Sequence, residues 1–81
     1  MLWLESYLLI EASSGNVWRV LDNILKIEGI KMAHVVTGNF DVIAFAEFSN
    51  IDELTSLIQK VQTVPDVLKT QTAVAMKQEL S

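Results

Sequence analysis

Apolar and polar positions follow two different periods along this 81-residue chain. Two stretches place apolar residues at i, i+3, i+4 and i+7, the spacing that predicts a helix with one buried face. Their members are Val17, Val20, Leu21, Ile24 and Leu25, and then Leu54, Leu57, Ile58 and Val61. Four shorter apolar runs, at 4–12, 30–37, 40–48 and 67–76, predict strands. The pattern therefore predicts the order β-α-β-β-α-β.

Breaks between these runs carry the residues that end strands and start helices. Ser13-Ser14-Gly15-Asn16 interrupts the first strand and offers side chains that could cap the first helix. Gly29 ends that helix, and Asn50 with Glu53 has the spacing of a capping box for the second helix. Both helix starts are thus expected to be capped.

The two halves of the chain repeat each other. A shift of 37 residues brings six apolar positions of the first half onto apolar positions of the second. Val17, Val20, Leu21, Ile24, Ile27 and Ile30 then coincide with Leu54, Leu57, Ile58, Val61, Val64 and Val67. This duplicated β-α-β unit predicts a ferredoxin-like α+β fold. Right-handed crossovers put both helices on one face of a four-stranded antiparallel sheet, with the first and third strands central.

Both faces of the central strands are apolar, which an antiparallel sheet with one wet face should not show. Leu8 and Ile10 of the first strand and Val42 and Ala44 of the third point to one face. The alternate residues of both strands point to the other face, which the helices cannot cover. These residues are Tyr7, Leu9, Ile43 and Phe45. We therefore predict that a second copy covers this face, giving a dimeric α/β sandwich with those four residues at its interface.

Composition narrows the class of protein. The length predicts one domain, residues 1–81, in which 51% hydrophobic residues exceed what so small an interior can hold. A net charge of −4 with six scattered basic residues argues against direct nucleic-acid binding. The absence of cysteine excludes thiol chemistry, and the start of the chain resembles neither a signal peptide nor a membrane span. A cytoplasmic protein is expected.

Chemistry-bearing side chains are sparse. The single histidine, His34, has no second ligand at metal-binding spacing, and no nucleophile–base pair or pair of carboxylates is evident. We predict no metal, no cofactor and no catalysis.

A predicted hairpin, 35–43, contains the most informative residues. Gly38-Asn39 between two apolar runs predicts a two-residue turn, and Asp41 follows directly. A carboxylate among Val, Ile and Phe costs free energy unless a partner satisfies it. A bound ammonium group, a backbone cap or bulk water could each be that partner.

The hairpin belongs to a longer pattern of motifs. Val36-Thr37-Gly38-Asn39-Phe40-Asp41 is joined by Thr70-Gln71-Thr72 in the last strand, and Ile27-Glu28-Gly29-Ile30 and Val64-Pro65-Asp66-Val67 precede the second and fourth strands. From about Tyr7 to Met76 the chain resembles the effector-binding domain, or RAM domain, of the Lrp/AsnC family of transcription regulators. The resemblance implies dimers that assemble into octamers or decamers and bind an amino-acid effector in a cleft between dimers.

Candidate ligand-binding residues follow from this resemblance: Thr37, Gly38, Asn39, Phe40, Asp41, Thr70 and Thr72. Asp41 would bind the ammonium group, while amides around Gly38 and the hydroxyls of Thr70 and Thr72, two residues apart on one strand face, would bind the carboxylate. Asn39-Phe40 stands where Asp and Tyr are common in the family.

One departure from the family pattern predicts a stand-alone module. The chain starts at the first strand, without the helix-turn-helix domain of full-length members. Its role in transcription or amino-acid metabolism would then be indirect, by co-assembly with a full-length relative or by sequestering an effector.

Three other classes of protein remain open. Ferredoxin-like dimers include small enzymes, for which only His34 and Tyr7 are available here. ACT-type regulatory domains share the strand order, and Ser14-Gly15-Asn16 weakly resembles their glycine-rich turn. A purely structural oligomer would have the same apolar pattern.

Overall fold

The computed structural model describes residues 4–76, and the elements occur in the predicted order. They are β1 (Leu4–Ala12), α1 (Val17–Leu25), β2 (Ile30–Val35), β3 (Val42–Phe48), α2 (Ile51–Gln62) and β4 (Val67–Val74). The four strands form one antiparallel sheet in the order β2-β3-β1-β4. The ferredoxin-like α+β fold and the central position of the first and third strands are therefore confirmed.

The core lies between the helices and one face of this sheet. Alternate residues of the central strands are buried there, and the apolar stripes of both helices meet them because an amphipathic helix buries one face only. The buried set includes Leu8, Ile10, Ala12, Val42, Ala44, Ala46 and Phe48 from the strands and Val20, Ile24, Leu54, Leu57 and Val61 from the helices. No helix within residues 4–76 is long and apolar enough to cross a membrane.

The sequence repeat extends to the geometry of the turns. The turns at 27–30 and 64–67 are each closed by a backbone hydrogen bond from the last residue to the first, of 3.2 and 3.3 Å. Gly29 and Asp66, which the 37-residue shift relates, both have positive φ, +99° and +71°. Both helix-to-strand turns therefore have the same hydrogen bond and a residue in the left-handed region at the same position. This shared geometry supports a duplicated unit.

The connection between β2 and β3 is longer than predicted. Strand pairing stops at Val35 and Val42, and the N–H of Val36 donates to the carbonyl oxygen of Asp41 over 2.8 Å. This bond closes a four-residue loop, 37–40, so the predicted two-residue turn at Gly38-Asn39 is wrong. The reason is tertiary: the backbone N–H of Asp41 is drawn to the carbonyl of Ile10 in β1, at 2.9 Å.

Only one of the two predicted helix caps forms. Asn50 accepts a hydrogen bond from the backbone N–H of Glu53 at 2.9 Å, and the Glu53 carboxylate accepts one from the N–H of Ser49 at 2.7 Å. At α1, Asn16 occupies the cap position, but its side chain makes no cap bond and donates instead to Ser13 Oγ at 3.2 Å. The capping prediction for α1 is therefore wrong.

Candidate functional site

The structure gives Asp41 a backbone partner. This half-buried carboxylate accepts a hydrogen bond through Oδ2 from the N–H of Ala12, at 2.8 Å. Its own N–H and carbonyl are engaged as well, with Ile10 and Val36. Of the three partners that sequence reasoning left open, the backbone cap is present. The other carboxylate oxygen, Oδ1, accepts no hydrogen bond from the residues that the structure describes, so it can still receive a donor.

The loop beside Asp41 leaves its backbone accessible. Thr37, Gly38 and Asn39 are exposed, and Phe40 is half-buried. Gly38 has φ of +106°, and a Cβ built on it would meet nothing within 4 Å. Glycine is thus suited to this position by its backbone conformation. The open space around it lets another molecule approach the amides of the loop.

Thr70 and Thr72 lie on the helix-covered face of β4. They pair with Ile10 and Leu8, which are both fully buried on that face, so the two hydroxyls share a side as their spacing predicts. Both residues are half-buried, and Thr70 Oγ1 accepts a hydrogen bond from Gln62 Nε2 at 3.4 Å.

One chain does not bring the two groups of predicted residues together. β1 lies between β3, next to which Asp41 sits, and β4, which carries the threonines. Two strand spacings amount to about 10 Å. No hydrogen bond within residues 4–76 joins the 37–41 loop to either threonine.

The surface formed by residues 4–76 has two open grooves, and one of them contains a predicted site residue. A groove of about 370 Å³ lies between α2 and the ends of β2 and β3, away from every predicted site residue. Its lining includes Gly29, Lys31, Glu47, Leu57 and Lys60. A second groove, of about 390 Å³, runs along β4 and contains Thr70 with Gln62 and Lys69. Sequence reasoning missed Gln62, because its approach to Thr70 depends on how α2 packs on β4 and leaves no local signal.

The uncovered face of the sheet carries the four residues predicted for a dimer interface. Tyr7 pairs with Phe45 and Leu9 with Ile43, so they form a compact apolar square on the two central strands. The rings of Tyr7 and Phe45 contact each other with centroids 5.3 Å apart, and Tyr7 is 45% exposed. This square is the centre of an apolar surface that the helices leave open.

Charged and polar residues border this square. Glu5 pairs with Glu47 at one end, and Glu11 pairs with Lys69 at the other. His34 is exposed on the edge strand β2, opposite Ile43. Within residues 4–76 no group of three His, Cys, Asp or Glu side chains is arranged to hold a metal ion.

Comparison with known proteins identifies relatives of this fold and sequence. Residues 5–81 match the family model described as the Lrp/AsnC ligand binding domain. The transcriptional regulator FL11 of the helix-turn-helix type, from Pyrococcus abyssi, is 28% identical over 72 residues, which cover 89% of this chain and 48% of the relative. The chain therefore spans about half the length of that curated relative.

Solved structures agree with this comparison. The crystal structure of FFRP-DM1 matches with a TM-score of 0.84 and 26% identity, covering 90% of this chain and 99% of the other. The transcriptional regulator NMB0573 of Neisseria meningitidis, solved as a complex with L-Met, shares the fold at 12% identity, with a TM-score of 0.81 and coverage of 96% and 53%. The match to the family model covers almost the whole chain, and the chain belongs to the family of Lrp/AsnC ligand-binding domains.

Proposed function

We propose that this chain is a non-catalytic module that binds a free amino acid and assembles with further copies of itself. The observation that carries the proposal is the Asp41 carboxylate, which is fixed through Oδ2 by Ala12 while Oδ1 stays open beside the exposed loop of Gly38. A fixed anion next to accessible backbone amides suits a zwitterion, because the ammonium group needs an acceptor and the carboxylate needs donors. That a protein of the same fold is a complex with L-Met supports the same class of ligand.

The separation of the candidate residues suggests that a second copy of the chain contributes to the binding site. Asp41 and Thr70 lie on opposite sides of β1, about 10 Å apart by strand spacing, which is a wide separation for the main-chain groups of one amino acid. Residues from two copies could instead meet around a single ligand. The complete site, with the 37–41 loop, Thr70 and Thr72, is therefore proposed to lie between subunits.

The apolar square supports dimerisation through the open sheet face. Full burial of a large apolar side chain contributes about 1.5–3 kcal/mol. In one chain these four side chains are only partly exposed, Tyr7 at 45% and the other three less, so association adds a fraction of that value for each. Eight such side chains in a dimer could offset an association cost near the lower end of about 4–15 kcal/mol. We propose a dimer built on Tyr7, Leu9, Ile43 and Phe45, with dimers assembling further into an octamer or decamer.

The proposed role in the cell is indirect. The net charge of −4 and scattered basic residues do not favour DNA contact by this chain. Full-length Lrp/AsnC regulators are the proposed protein partners, because they share this domain and could co-assemble with it in the cytoplasm. Binding would then modulate transcription or amino-acid metabolism through the partner or through the free effector concentration.

The binding claim is tested with two substitutions at one position. Asp41→Asn keeps an oxygen that can accept from Ala12 but removes the charge, whereas Asp41→Ala removes both. Calorimetric titration with each proteinogenic amino acid should show binding to the wild type and a loss of at least about tenfold in both variants, because a hydrogen bond to a charged group contributes about 1.5–3 kcal/mol. Only Asp41→Ala should also lower the free energy of unfolding.

Asp52→Asn is the matched control, since Asp52 is an exposed carboxylate in the first turn of α2. It should leave binding unchanged. An Asp41→Asn variant with wild-type affinity would contradict the role given to the Asp41 charge, and a wild type that binds no amino acid would contradict the ligand class.

A further inference from the structure

We propose that Ser13 and Asp66, which lie outside the candidate ligand set, are positioning residues for the Asp41 carboxylate. They act through Ala12, whose N–H holds Asp41 Oδ2. The consequence for ligand affinity rests on the proposed function. The positioning itself does not, because it concerns contacts within the unliganded chain.

The end of β1 is held from both sides by consecutive backbone N–H groups. The N–H of Ala12 donates to Asp41 in the loop between β2 and β3. The next N–H, that of Ser13, donates to the carbonyl of Asp66 in the turn before β4, at 2.9 Å. The strand ladder is interrupted at this point, where the pairing with β4 shifts between Glu11 and Ala12. Together with the bond from the Asp41 N–H to the Ile10 carbonyl, these two bonds tie the end of β1 to both loops.

Side chains strengthen the Asp66 side of this arrangement. Ser13 Oγ donates to Asp66 Oδ1 at 3.1 Å, and Asn16 Nδ2 donates to Ser13 Oγ at 3.2 Å. All three residues are half-buried. Asn16 occupies the N-cap position of α1, where its side chain would ordinarily accept a hydrogen bond from a backbone N–H of the first turn. Here the side chain binds Ser13 and makes no cap bond. We call Ser13, Asn16 and Asp66 the β1 clamp.

The internal repeat provides a comparison within the same molecule. At the opposite end of the sheet, the related turn residue Gly29 accepts a backbone hydrogen bond from Glu47 at 3.1 Å, as Asp66 does from Ser13. Gly29 has no side chain, so the fold closes this corner with backbone contacts alone. Among residues 4–76, the Gly29 turn is thus closed without a side-chain counterpart of the Ser13–Asp66 bond, and the polar clamp lies at the end of the sheet that carries Asp41.

The residue type at 66 supports this interpretation. Asp66 has φ of +71°, a conformation that glycine adopts freely and that aspartate and asparagine adopt more often than other residues, because their short polar side chains can form local hydrogen bonds. Glycine fills the equivalent position in the first half. The Asp66 carboxylate accepts such a hydrogen bond from Ser13 Oγ, which the glycine of the related turn cannot do.

The test compares Asp66→Gly, which copies the Gly29 turn, with Asp66→Asn, which keeps the acceptor for Ser13. Amide hydrogen exchange and 15N spectra of the unliganded protein report on Ala12 and on residues 38–41. In Asp66→Gly and in Ser13→Ala, we expect the Ala12 amide to exchange about tenfold faster. The 38–41 resonances should shift, while exchange at the core amide of Leu8 stays the same. Asp66→Asn and Ser13→Thr, which keep the hydrogen-bonding groups, should retain the wild-type exchange rates and resonance positions. The exposed variant Ser14→Ala should match the wild type in every measurement.

Wild-type exchange at Ala12 and unshifted 38–41 resonances in both Asp66→Gly and Ser13→Ala would overturn the inference. Equal acceleration at Ala12 and Leu8 would also overturn it, because that result indicates a general loss of stability.

Titration with the proteinogenic amino acids then separates the two proposals. A wild type without binding refutes the proposed function and leaves the exchange result to decide the clamp. Binding of equal affinity in wild type and Asp66→Gly would overturn the clamp's proposed effect on the ligand.

Discussion

Ser6 introduces an unsatisfied polar atom into the core. It is fully buried on the helix-covered face of β1, opposite Ala46 and Val74, and its Oγ has no hydrogen-bond partner among the described residues. A buried hydroxyl without a partner costs about 1–3 kcal/mol. The smallest apolar residue should therefore suit this position better than serine.

Ser6→Ala is predicted to raise the free energy of unfolding by about 1 kcal/mol, because the methyl group keeps the packing and removes the unsatisfied oxygen. Urea unfolding measures the change, with exposed Ser14→Ala as the control that should have no effect. A less stable Ser6→Ala variant would indicate that the hydroxyl has a partner in solution.

Gly29 combines an unusual backbone conformation with close packing. Its φ is +99°, and an added Cβ would lie 3.2 Å from Leu57 Cδ1, whereas Gly15, at +86°, has open space around it. Both glycine-to-alanine variants carry the backbone strain of about 1–2 kcal/mol, and only Gly29→Ala adds crowding. We predict that Gly29→Ala costs about 1 kcal/mol more than Gly15→Ala in urea unfolding. Equal losses would mean that Leu57 moves aside freely.

At the scale of elements, the two helices begin differently. α2 starts at Asn50 with a side-chain cap, and α1 starts at Asn16 without one. Asn50→Ala is predicted to lower the free energy of unfolding by about 1 kcal/mol, while Asn50→Asp, which keeps the acceptor, should remain close to wild type. Thermal and urea unfolding both report the change. Equal losses of stability in the two variants would contradict a stabilising role for the Asn50 cap.

Glu53 makes the start of α2 sensitive to acid. Hydrogen bonds from Ser49, chiefly from its backbone N–H, lower the pKa of Glu53 from its usual value of 4.5. A carboxyl group whose pKa is lower in the folded state stabilises the fold above the unfolded pKa, and this contribution is lost as the pH falls through the folded pKa. The start of α2 should therefore weaken at acidic pH.

A Glu53→Gln variant should lack this part of the acid sensitivity. Urea unfolding between about pH 3 and pH 6 should show the difference between wild type and variant growing as the pH rises towards 4.5 and staying constant above it. A difference that does not change with pH would contradict the lowered pKa.

Element order was predictable because it rests on local periodicity. The apolar stripes and the Gly29 turn each lie within a short stretch of sequence, and the repeat doubles that local signal. The 37–40 loop and the side chain of Asn16 were not predictable, since both are set by contacts with distant residues, Ile10 and Ala12 in one case and the Ser13–Asp66 pair in the other. The α1 cap was mispredicted because the Asn16 side chain can bond either to the first turn of α1 or to Ser13, and local sequence does not decide between them.

For the whole molecule, the open sheet face is the main unexplained surface. If the proposed dimer forms through this face, Phe45→Lys is predicted to give monomers, because an ammonium group would be buried at the centre of the apolar square. Size-exclusion chromatography with light scattering gives the mass, and circular dichroism checks the fold. Thr55→Lys, on the exposed surface of α2, is the control that should keep the wild-type mass. An unchanged mass for Phe45→Lys would exclude this face as the interface.

For the candidate site, the sequence selects residues but does not determine how they are arranged. Sequence reasoning selected Asp41 and the Gly38 loop, and it included a backbone cap among the possible partners of Asp41. It could not predict that β1 separates Asp41 from Thr70, because strand order determines that distance. A site shared between copies depends on surfaces for which a single sequence has no periodic signal.

Native mass spectrometry of the purified protein, with and without a mixture of the proteinogenic amino acids, reports amino-acid binding and assembly size in one experiment. We expect an even-numbered multimer that gains adducts of one defined mass, about one per subunit, and loses them in Asp41→Asn. A bare monomer, or a multimer without adducts in the presence of every amino acid, would contradict an amino-acid-binding assembly.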